Sequence, residues 1–343
     1  MIRKIVSLVL AAILLTGCAA PQAQSTQKRF QATFLTLFDT VTTIVGYAES
    51  EEEFQKITDE IHDQLEQYHQ LFDIYNDYEG VSNIKTINDQ AGIAPVEVDP
   101  AIIEFLKDCK EYYDLTGGAV NVAMGSVLYL WHETRNDGIN DPANARLPEE
   151  EKLKEAALHC SFDSVIIDEE NHTVYLNDPE QRLDVGAIAK GWSTQRVCEK
   201  APSGLLVSVG GNVCATGPKP EKNSSWVVGI QDPEGGSDEY LHTVYVKEES
   251  VVTSGDYQRY YTVDGKQYHH IIDPETLYPA AKWKAVSIIS DDSGMGDALS
   301  TALFLLDLEE GQKLLEKCNA CAVWVDLDGE TYYSPGFKEL IRT

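Results

Sequence analysis

The order in which helical and strand patterns follow one another most constrains what this chain can fold into. Two amphipathic stretches, 50–75 and 100–118, repeat apolar residues at helical spacing. From about residue 160 the chain changes to short β-branched runs such as LLVSV, WVVGI and AVSII, separated by turns such as DPEGGSD and VDGK. Because helices and strands do not alternate as βαβ units, we predict an α+β fold with mostly antiparallel sheets and flanking helices, arranged in two lobes.

Two further segments complete the predicted elements. The stretch TFLTLFDTVTTIVGYA, residues 33–48, is rich in β-branched and aromatic residues and is predicted to be a strand. The stretch 297–318 is predicted to be helical and to lead into the strand AVWVDL. The sequence shows neither an internal repeat nor a strong linker after residue 30, so we predict one domain over 30–343.

The first residues have the pattern of a bacterial lipoprotein leader. A basic start, MIRK, precedes the apolar run IVSLVLAAILL, which is too short to cross a bilayer, and LTGC follows. We predict a signal peptide over 1–17, lipidation of Cys18, and a small polar tether over 18–29. The domain would then be held by acyl chains at the extracytoplasmic face of the cell membrane. The alternative is an ordinary secretory leader or a signal anchor in which Cys18 is incidental.

Charge and cysteine usage exclude several classes of partner and site. The net charge of −29 argues against nucleic acid and against adhesion of the protein surface to anionic lipid. Cys318 and Cys321 form a C-x-x-C pair, but no second pair accompanies them. We therefore interpret both as packed residues where a helix passes into a strand, and we predict no zinc site and no disulfide framework.

Residues 293–306, SGMGDALSTALFLL, form a candidate cation site. Asp297, Ser300 and Thr301 are spaced so that their side chains lie on one helical face, after a glycine-rich start. A carboxylate with a hydroxyl four residues later suits a hard cation such as Mg²⁺. An acidic residue at a helix start with a capping serine would produce the same pattern, so the residues alone leave both readings open.

The stretch LDVGAIAKGW, residues 183–192, combines a carboxylate, a turn of small residues and a lysine within a few positions. It matches neither the P-loop nor the Rossmann glycine pattern. A second stretch, 254–279, places His269 and His270 before the turn DPETLYP. From the residues alone the histidines could be a core residue and an exposed one, and Asp273 a turn former.

Taken together, these segments resemble the ApbE family of FAD:protein FMN transferases. LFDTVTTIVGY, TGGAVNVAMGSVLYLWH, LDVGAIAKGW, LLVSVGGNVCATG, VVTSGDYQRYYTVDGKQYHHIIDPETLYP and GMGDALSTALFLL occur in the family's order and spacing, from about residue 33 to 340. The resemblance implies two lobes around a flavin cleft. It also implies that FAD is the substrate and Mg²⁺ the cofactor, with FMN transferred to a threonine of a partner protein and AMP released.

The resemblance also implies roles for individual residues. The metal would be bound by the Ala187 carbonyl, Asp297 and Thr301, with Ser300 close by. His270 is the candidate general base, and Asp297 acting through the metal shell is its rival. The residues at positions that contact FAD are Phe38, Tyr75, Ala119, Val120, Asn121, Asp184, Lys190, His270 and Ile271.

Two positions depart from the family pattern. Many relatives have an acidic residue where Asn121 stands, and Asn121 can still hydrogen-bond a hydroxyl or a ring edge. A glycine is common where Leu277 follows DPET, so the shape of that loop beside the flavin differs from the family expectation.

The expected partners are acceptor subunits of flavin-bearing respiratory complexes, of the Rnf or sodium-pumping quinone reductase type. Two alternatives remain open for the sequence. Water could replace the threonine, which would make the protein an FAD pyrophosphatase that yields FMN and AMP. A lipoprotein that binds flavin without chemistry would use the same FAD contacts.

Overall fold

The computed structural model describes residues 27–236, 239–257 and 259–343. The predicted leader and Cys18 lie outside the described residues, so lipidation of Cys18 stays a prediction. None of the described helices is both long enough and apolar enough to cross a bilayer.

The α-helices of the described residues are α1 Glu51–Phe72, α2 Ile84–Asp89, α3 Pro100–Leu115, α4 Gly125–Asn140, α5 Glu150–Ala157, α6 Ala189–Lys200, α7 Ser293–Leu305 and α8 Leu308–Leu315. The strands of the N-terminal part are β1 Lys28–Phe34, β2 Thr42–Ala48, β3 Val96–Glu97, β4 Val165–Asp168, β5 Thr173–Leu176, β6 Leu205–Val209 and β7 Asn212–Ala215. Those of the C-terminal part are β8 Trp226–Gln231, β9 Tyr240–Val246, β10 Ser250–Gly255, β11 Tyr260–Val263, β12 Lys266–His269, β13 Trp283–Ser290, β14 Ala320–Asp326 and β15 Thr331–Tyr333.

One large sheet organises the molecule. Its strand order is β1-β2-β6-β7-β10-β13-β14-β15, and each neighbouring pair is antiparallel. Three smaller antiparallel sheets have the orders β3-β5-β4, β8-β9 and β11-β12. The predicted α+β class with antiparallel sheets is therefore confirmed.

Both faces of the large sheet are covered, because its strands alternate apolar side chains between two cores. On one face, Ile288 and Trp324 join the main core together with helices α1, α3, α6 and α7. On the other face, Ile289 and Val323 pack in a second core that the β8–β9 hairpin covers. A third core joins α4, α5 and the β11–β12 hairpin around Trp131.

The helix layer centres on Trp192 of α6. The rings of Tyr68 and Phe72 on α1 and of Phe105 on α3 lie 5.4, 5.5 and 5.5 Å from the Trp192 ring, each edge-on. Such edge-to-face pairs are favourable beyond the area they bury. Helix α1 begins where Ser50 accepts a hydrogen bond from the Glu53 amide, 3.2 Å away. The N-cap and acidic first turn explain why this helix was predictable from sequence.

Helices α6 and α7 cross at very short range, and glycine makes the crossing possible. The Gly191 amide donates a hydrogen bond to Asp297 Oδ2 over 2.8 Å. A Cβ on Gly191 would overlap the Ser293 carbonyl and lie 2.5 Å from the Asp297 Cβ. The close approach therefore places the start of α6 beside the first turn of α7.

Two element predictions were wrong. Residues 33–48 are not one strand but the β1–β2 hairpin, interrupted by a turn in which Phe38 and Asp39 both have a φ of 53°. No glycine marks that turn, so composition concealed it. Residues 297–318 are not one helical stretch, because α7 ends at Leu305 and Asp307 caps a new helix by accepting from the Glu310 amide, 2.9 Å away.

The boundary of the domain and one helix also differ from expectation. Strand β1 begins at Lys28, inside the predicted tether 18–29, because Lys28 and Arg29 pair through their backbones with Ala48 and Tyr47. Backbone pairing does not require apolar side chains, so the polar composition was misleading. Helix α4 was not predicted, since its polar stretch HETRND hides the helical period.

Replacing Gly191 by alanine tests the helix crossing. The added methyl group would push α6 away from α7, and we expect the free energy of unfolding to fall by about 1–3 kcal/mol, as for other overpacked cores. Denaturant titration followed by circular dichroism measures this. Gly236→Ala is the matched control, because a Cβ there meets no described atom within 4 Å. Equal stability of Gly191→Ala and the unmodified protein would contradict the role of the crossing.

Candidate functional site

A cavity of about 660 Å³ lies where the first and third apolar cores meet. Its volume is in the range of about 300–1,000 Å³ that ligand sites occupy. Segments from the β1–β2 turn, the end of α1, helix α4, the 184–190 turn, the end of β10, residues 270–272 and helix α7 line it. The residues predicted from sequence that line this cavity are Phe38, Tyr75, Ala119, Val120, Asn121, Asp184, Ala187, Lys190, His270, Ile271, Asp297 and Thr301.

The 183–192 stretch forms a turn that leads directly into α6. The side chain of Asn88 holds Leu183 from both sides, accepting from its amide at 2.7 Å and donating to its carbonyl at 3.0 Å. Asp184 Oδ1 accepts from the Gly186 amide at 3.0 Å, so this carboxylate organises the turn. The first residues of α6 and the Lys190 ammonium then face the cavity. A helix start with a lysine is a favourable site for phosphate groups.

The predicted metal ligands Asp297, Thr301 and Ala187 all line the cavity. Asp297 is only 5% exposed, and Thr301 follows it one turn later on α7. Asp297 Oδ2 accepts from Gly191 and lies 3.8 Å from the Lys190 ammonium. Carboxylate, hydroxyl and carbonyl oxygens are the donors that Mg²⁺ prefers, and Mg²⁺ commonly adds substrate phosphates to one protein carboxylate. The residues present therefore fit a magnesium ion shared with a phosphate ligand.

Ser300 occupies a different position from the other candidates. Its side chain is fully buried and does not line the cavity. The Ser300 hydroxyl donates to the Asp297 carbonyl at 2.9 Å and lies 2.8 Å from the Ser254 hydroxyl. Ser300 therefore lies outside the cavity lining, where its hydroxyl joins α7 to the end of β10.

A second group of residues, outside the cavity lining, has the spacing of a metal site. Among the described residues, His62, Asp63 and Glu66 on α1 have ligand atoms within 4.8 Å of one another. Asp63 and Glu66 are exposed, and exposed acidic groups are common without a metal.

His270 lines the cavity as a neutral imidazole with one nitrogen free. Its Nδ1 lies 3.3 Å from the Arg259 carbonyl, which can only accept, so Nδ1 carries the proton. Nε2 is therefore the unprotonated nitrogen. Burial, followed by the charges of Arg259 and Lys190, lowers the pKa of His270 to about 3. The ring stays neutral at physiological pH and can accept a proton through Nε2.

The turn that carries Phe38 forms a strained wall of the cavity. Phe38 and Asp39 both have a left-handed φ of 53°, which costs roughly 1–3 kcal/mol per residue and persists only where surrounding contacts impose it. One such contact is the hydrogen bond from the Phe38 amide to His69 Nδ1, 3.2 Å long. The Phe38 ring also packs edge-on against the His69 ring at 5.6 Å.

The two departures from the family pattern have local explanations. Asn121 Oδ1 accepts from the Ala123 amide at 2.9 Å and its amide donates to the Cys160 carbonyl at 2.8 Å, so both polar ends hold the chain before α4. Leu277 adopts a φ of 64°, the conformation that a glycine would take. Its carbonyl accepts from Trp131 Nε1 at 3.0 Å, and its side chain packs against the third core.

Sequence reasoning missed several residues that line the cavity, among them His132, Arg135 and Arg259. His132 lies 2.8 Å from the Tyr75 hydroxyl through Nδ1 and 3.6 Å from Asp184 Oδ2 through Nε2. His132 and Arg135 are three residues apart on α4, so recognising that helix would have placed them on one face. Their meeting with Tyr75 and Asp184 had no signal in the sequence.

Comparisons with known proteins agree with the motifs. The sequence model of the ApbE family matches residues 38–325. The chain is 36% identical over 279 residues to the FAD:protein FMN transferase of Treponema pallidum (strain Nichols), which covers 76% of this chain and 75% of that protein. It is 34% identical over 241 residues to the FAD:protein FMN transferase of Klebsiella pneumoniae (strain 342), covering 67% of this chain and 70% of that protein.

Solved structures show the same fold. The crystal structure of the ApbE protein from Thermotoga maritima MSB8 has a TM-score of 0.81 at 31% identity and covers 92% of this chain and 100% of that one. The flavin transferase ApbE from Vibrio cholerae has a TM-score of 0.74 at 20% identity, covers 92% and 99% of the two chains, and is similar in fold. The family match extends over most of the chain, and the protein described here is a member of the ApbE family.

Proposed function

We propose that this chain is an FAD:protein FMN transferase that uses Mg²⁺ to transfer FMN from FAD to a threonine hydroxyl of a partner protein, with release of AMP. The observation that carries the proposal is one cavity whose lining combines the oxygen donors Asp297, Thr301 and Ala187 with Lys190, whose ammonium lies 3.8 Å from the Asp297 carboxylate. This donor set suits a pyrophosphate bound together with a hard cation. Similarity to proteins named as FAD:protein FMN transferases supports the same activity.

The residues at the crossing of α6 and α7 would hold the pyrophosphate. The start of α6 offers a partial positive charge, and Lys190 adds a full charge for a phosphate oxygen. Asp297 lines the cavity, and the hydrogen bond from the Gly191 amide holds its carboxylate in place before a ligand binds. Mg²⁺ bound there would neutralise charge on the pyrophosphate and on the departing AMP.

His270 is the group we assign as the general base. The threonine oxygen bonds to the FMN-side phosphorus as the bond from that phosphorus to the AMP oxygen breaks, and the hydroxyl proton passes to His270 Nε2. Burial, and after it the charges of Arg259 and Lys190, lowers the pKa of His270 in the ligand-free protein. A bound pyrophosphate offsets both charges, so the pKa of His270 rises when FAD binds and the imidazole becomes a better base. Asp297, the rival base, already accepts a hydrogen bond from Gly191.

We further propose that the protein works at the extracytoplasmic face of the cell membrane, anchored through lipid on Cys18. The leader MIRK, the apolar run and LTGC support this. The net charge of −29 makes acyl chains, not the protein surface, the means of membrane binding. The proposed acceptors are subunits of flavin-bearing respiratory complexes of the Rnf or sodium-pumping quinone reductase type.

Covalent transfer is the first prediction. Incubation with FAD, Mg²⁺ and a threonine-bearing acceptor protein should raise the acceptor mass by that of FMN less water, with AMP released in equal amount. Intact-mass spectrometry and chromatography of the nucleotides measure both products. Chelation of the metal, or replacement of the acceptor threonine by alanine, should abolish the gain in mass. Free FMN and AMP with an unchanged acceptor would indicate a hydrolase, and intact FAD would indicate a binding protein.

Asp297→Asn tests the proposed metal site. The amide oxygen can still accept the Gly191 hydrogen bond, so this change removes the charge while retaining the crossing of α6 and α7. We expect kcat/KM at limiting Mg²⁺ to fall by about 100-fold or more, because developing phosphate charge is no longer neutralised. Activity measured against Mg²⁺ concentration checks this. Glu310→Gln, an exposed acidic residue on α8, is the control. An Asp297→Asn variant with unchanged Mg²⁺ dependence would contradict the assignment.

The pH dependence of the reaction tests His270. Because its pKa is about 3 in the free protein, His270 is neutral above that pH and protonates only below it. The profile of kcat/KM, which reports the free enzyme, should therefore show no inflection near pH 6.5 that depends on His270. The acid limb of kcat should lie at higher pH than that of kcat/KM, since FAD raises the pKa. An inflection of kcat/KM near pH 6.5 that His270→Gln removes would contradict the lowered pKa, and a His270→Gln variant with unchanged kcat would disprove the assignment of His270 as the general base.

A further inference from the structure

Three cavity-lining side chains from separate parts of the fold form a chain of contacts, each next to the one before it. The Tyr75 hydroxyl lies 2.8 Å from His132 Nδ1, and His132 Nε2 lies 3.6 Å from Asp184 Oδ2. Tyr75 follows α1, His132 is on α4 and Asp184 precedes α6, and all three line the cavity. We refer to these three residues as the Tyr75 relay.

Both ends of the Tyr75 relay are fixed by backbone hydrogen bonds. Asp73 Oδ1 accepts from the amides of Tyr75 and Asn76 at 2.6 and 3.1 Å, which holds the turn after α1.

At the other end of the relay, the Asp184 amide donates to the Val122 carbonyl at 2.8 Å. Asp184 Oδ1 is occupied by the Gly186 amide, which leaves Oδ2 to face His132. The middle residue is therefore held between two rigid anchors.

The Asp184 charge sets the direction of the hydrogen bond between Tyr75 and His132. A negative carboxylate oxygen 3.6 Å from Nε2 favours the tautomer of His132 with its proton on that nitrogen. Nδ1 then has the lone pair, and the Tyr75 hydroxyl donates to it. The remaining lone pairs of the Tyr75 oxygen can accept a hydrogen bond from a ligand.

Two groups of the Tyr75 relay are neutral, the Tyr75 phenol and the His132 imidazole. Desolvation, followed by the Asp184 charge, raises the pKa of Tyr75 to about 12, so the phenol keeps its proton. Desolvation also lowers the pKa of His132, although Asp184 opposes that change. A neutral phenol donor and a neutral imidazole acceptor are the pair that the hydrogen-bond direction requires.

The exposure of Tyr75 makes the restraint informative. The residue is 53% exposed, unlike the buried aromatic residues of the core, so apolar packing alone does not determine its position. An exposed aromatic side chain normally keeps rotamer freedom, which a ligand must remove when it binds. The bond to His132 removes that freedom in advance.

We propose that His132 is a positioning residue that, oriented by Asp184, holds the Tyr75 oxygen as a hydrogen-bond acceptor for a donor group of the bound dinucleotide. The proposal rests on the function proposed above, because FAD is the ligand it concerns. His132 acts through Tyr75 and does not take the reaction proton, since its Nδ1 lone pair is already used by the Tyr75 hydroxyl. The general base therefore remains His270.

A double-mutant cycle tests the relay. FAD is titrated into the protein and into Tyr75→Phe, His132→Ala and the double variant, with flavin fluorescence as the readout. Each single change should raise the Kd for FAD about three- to tenfold, the range for one hydrogen bond. The double variant should bind no more weakly than Tyr75→Phe, because both changes remove the same interaction. The proposal would be overturned if the Kd of the double variant rose by the product of the two single-variant increases. It would also be overturned if the Kd were unchanged in both single variants.

Two further variants separate positioning from folding. His132→Asn presents an amide oxygen near the place of Nδ1 and should recover most of the FAD affinity lost in His132→Ala. Asn136→Ala, an exposed position on the same helix that does not line the cavity, should leave the Kd unchanged. Thermal melting of every variant checks folding. If His132→Asn is folded and binds FAD as weakly as His132→Ala, the relay does not act through a hydrogen-bond acceptor, and the proposal is wrong.

The same samples distinguish this inference from the proposed function. If the unmodified protein binds FAD and the Kd changes in the cycle are non-additive, but no FMN appears on the acceptor, the transferase function is overturned and the relay is not. If FMN is transferred but the two single-variant increases in Kd multiply in the double variant, the relay alone is overturned.

Discussion

The close crossing of α6 and α7 is the contact on which the rest of the site depends. A glycine at position 191 lets its own amide reach the Asp297 carboxylate, which is thereby oriented while it is almost wholly buried. The same crossing places Lys190 3.8 Å from that carboxylate. Trp192, the next residue of α6, anchors the helix among the aromatic side chains of α1 and α3. The charged residues Lys190 and Asp297 thus lie directly beside the main apolar core, whose packing holds them in place before a ligand binds.

Charge, desolvation and backbone strain around the cavity determine what it can bind and which protons it can accept. The chain is strongly acidic, yet Lys190, Arg135 and Arg259 all border the cavity, where a pyrophosphate would find opposite charge. Burial, followed by the charges of Arg259 and Lys190, lowers the pKa of His270 and keeps its ring neutral, so that it can accept a proton. The strained turn at Phe38 is held by His69. Such strain at a cavity wall suits pre-organisation for a ligand.

Part of the fold and of the site could be predicted from local patterns. Helix α1 was predictable because its cap, acidic first turn and apolar period agree. The hairpin turn at Phe38 was not, because a left-handed conformation without glycine leaves no mark in composition. The break before Asp307 was also missed, since the helical period continues across it. The order of the motifs, by contrast, was a good guide to the site, because nearly all of the residues predicted from it line one cavity. Among the described candidate residues, Ser300 alone is buried outside the cavity lining.

The sequence by itself determined the fold class, the family, and the pairing of Asp297 with Thr301 on one helix, because spacing along a helix sets which side chains share a face. Only the tertiary structure brought Tyr75 to His132, 57 residues away, and both to Asp184. Only the tertiary structure, likewise, decided which nitrogen of His270 carries the proton and how far its pKa is lowered. The protonation state depends on burial and on charges from other elements of the fold. The contacts depend on distances between elements, which are set by packing and are not encoded by the spacing of residues along one element.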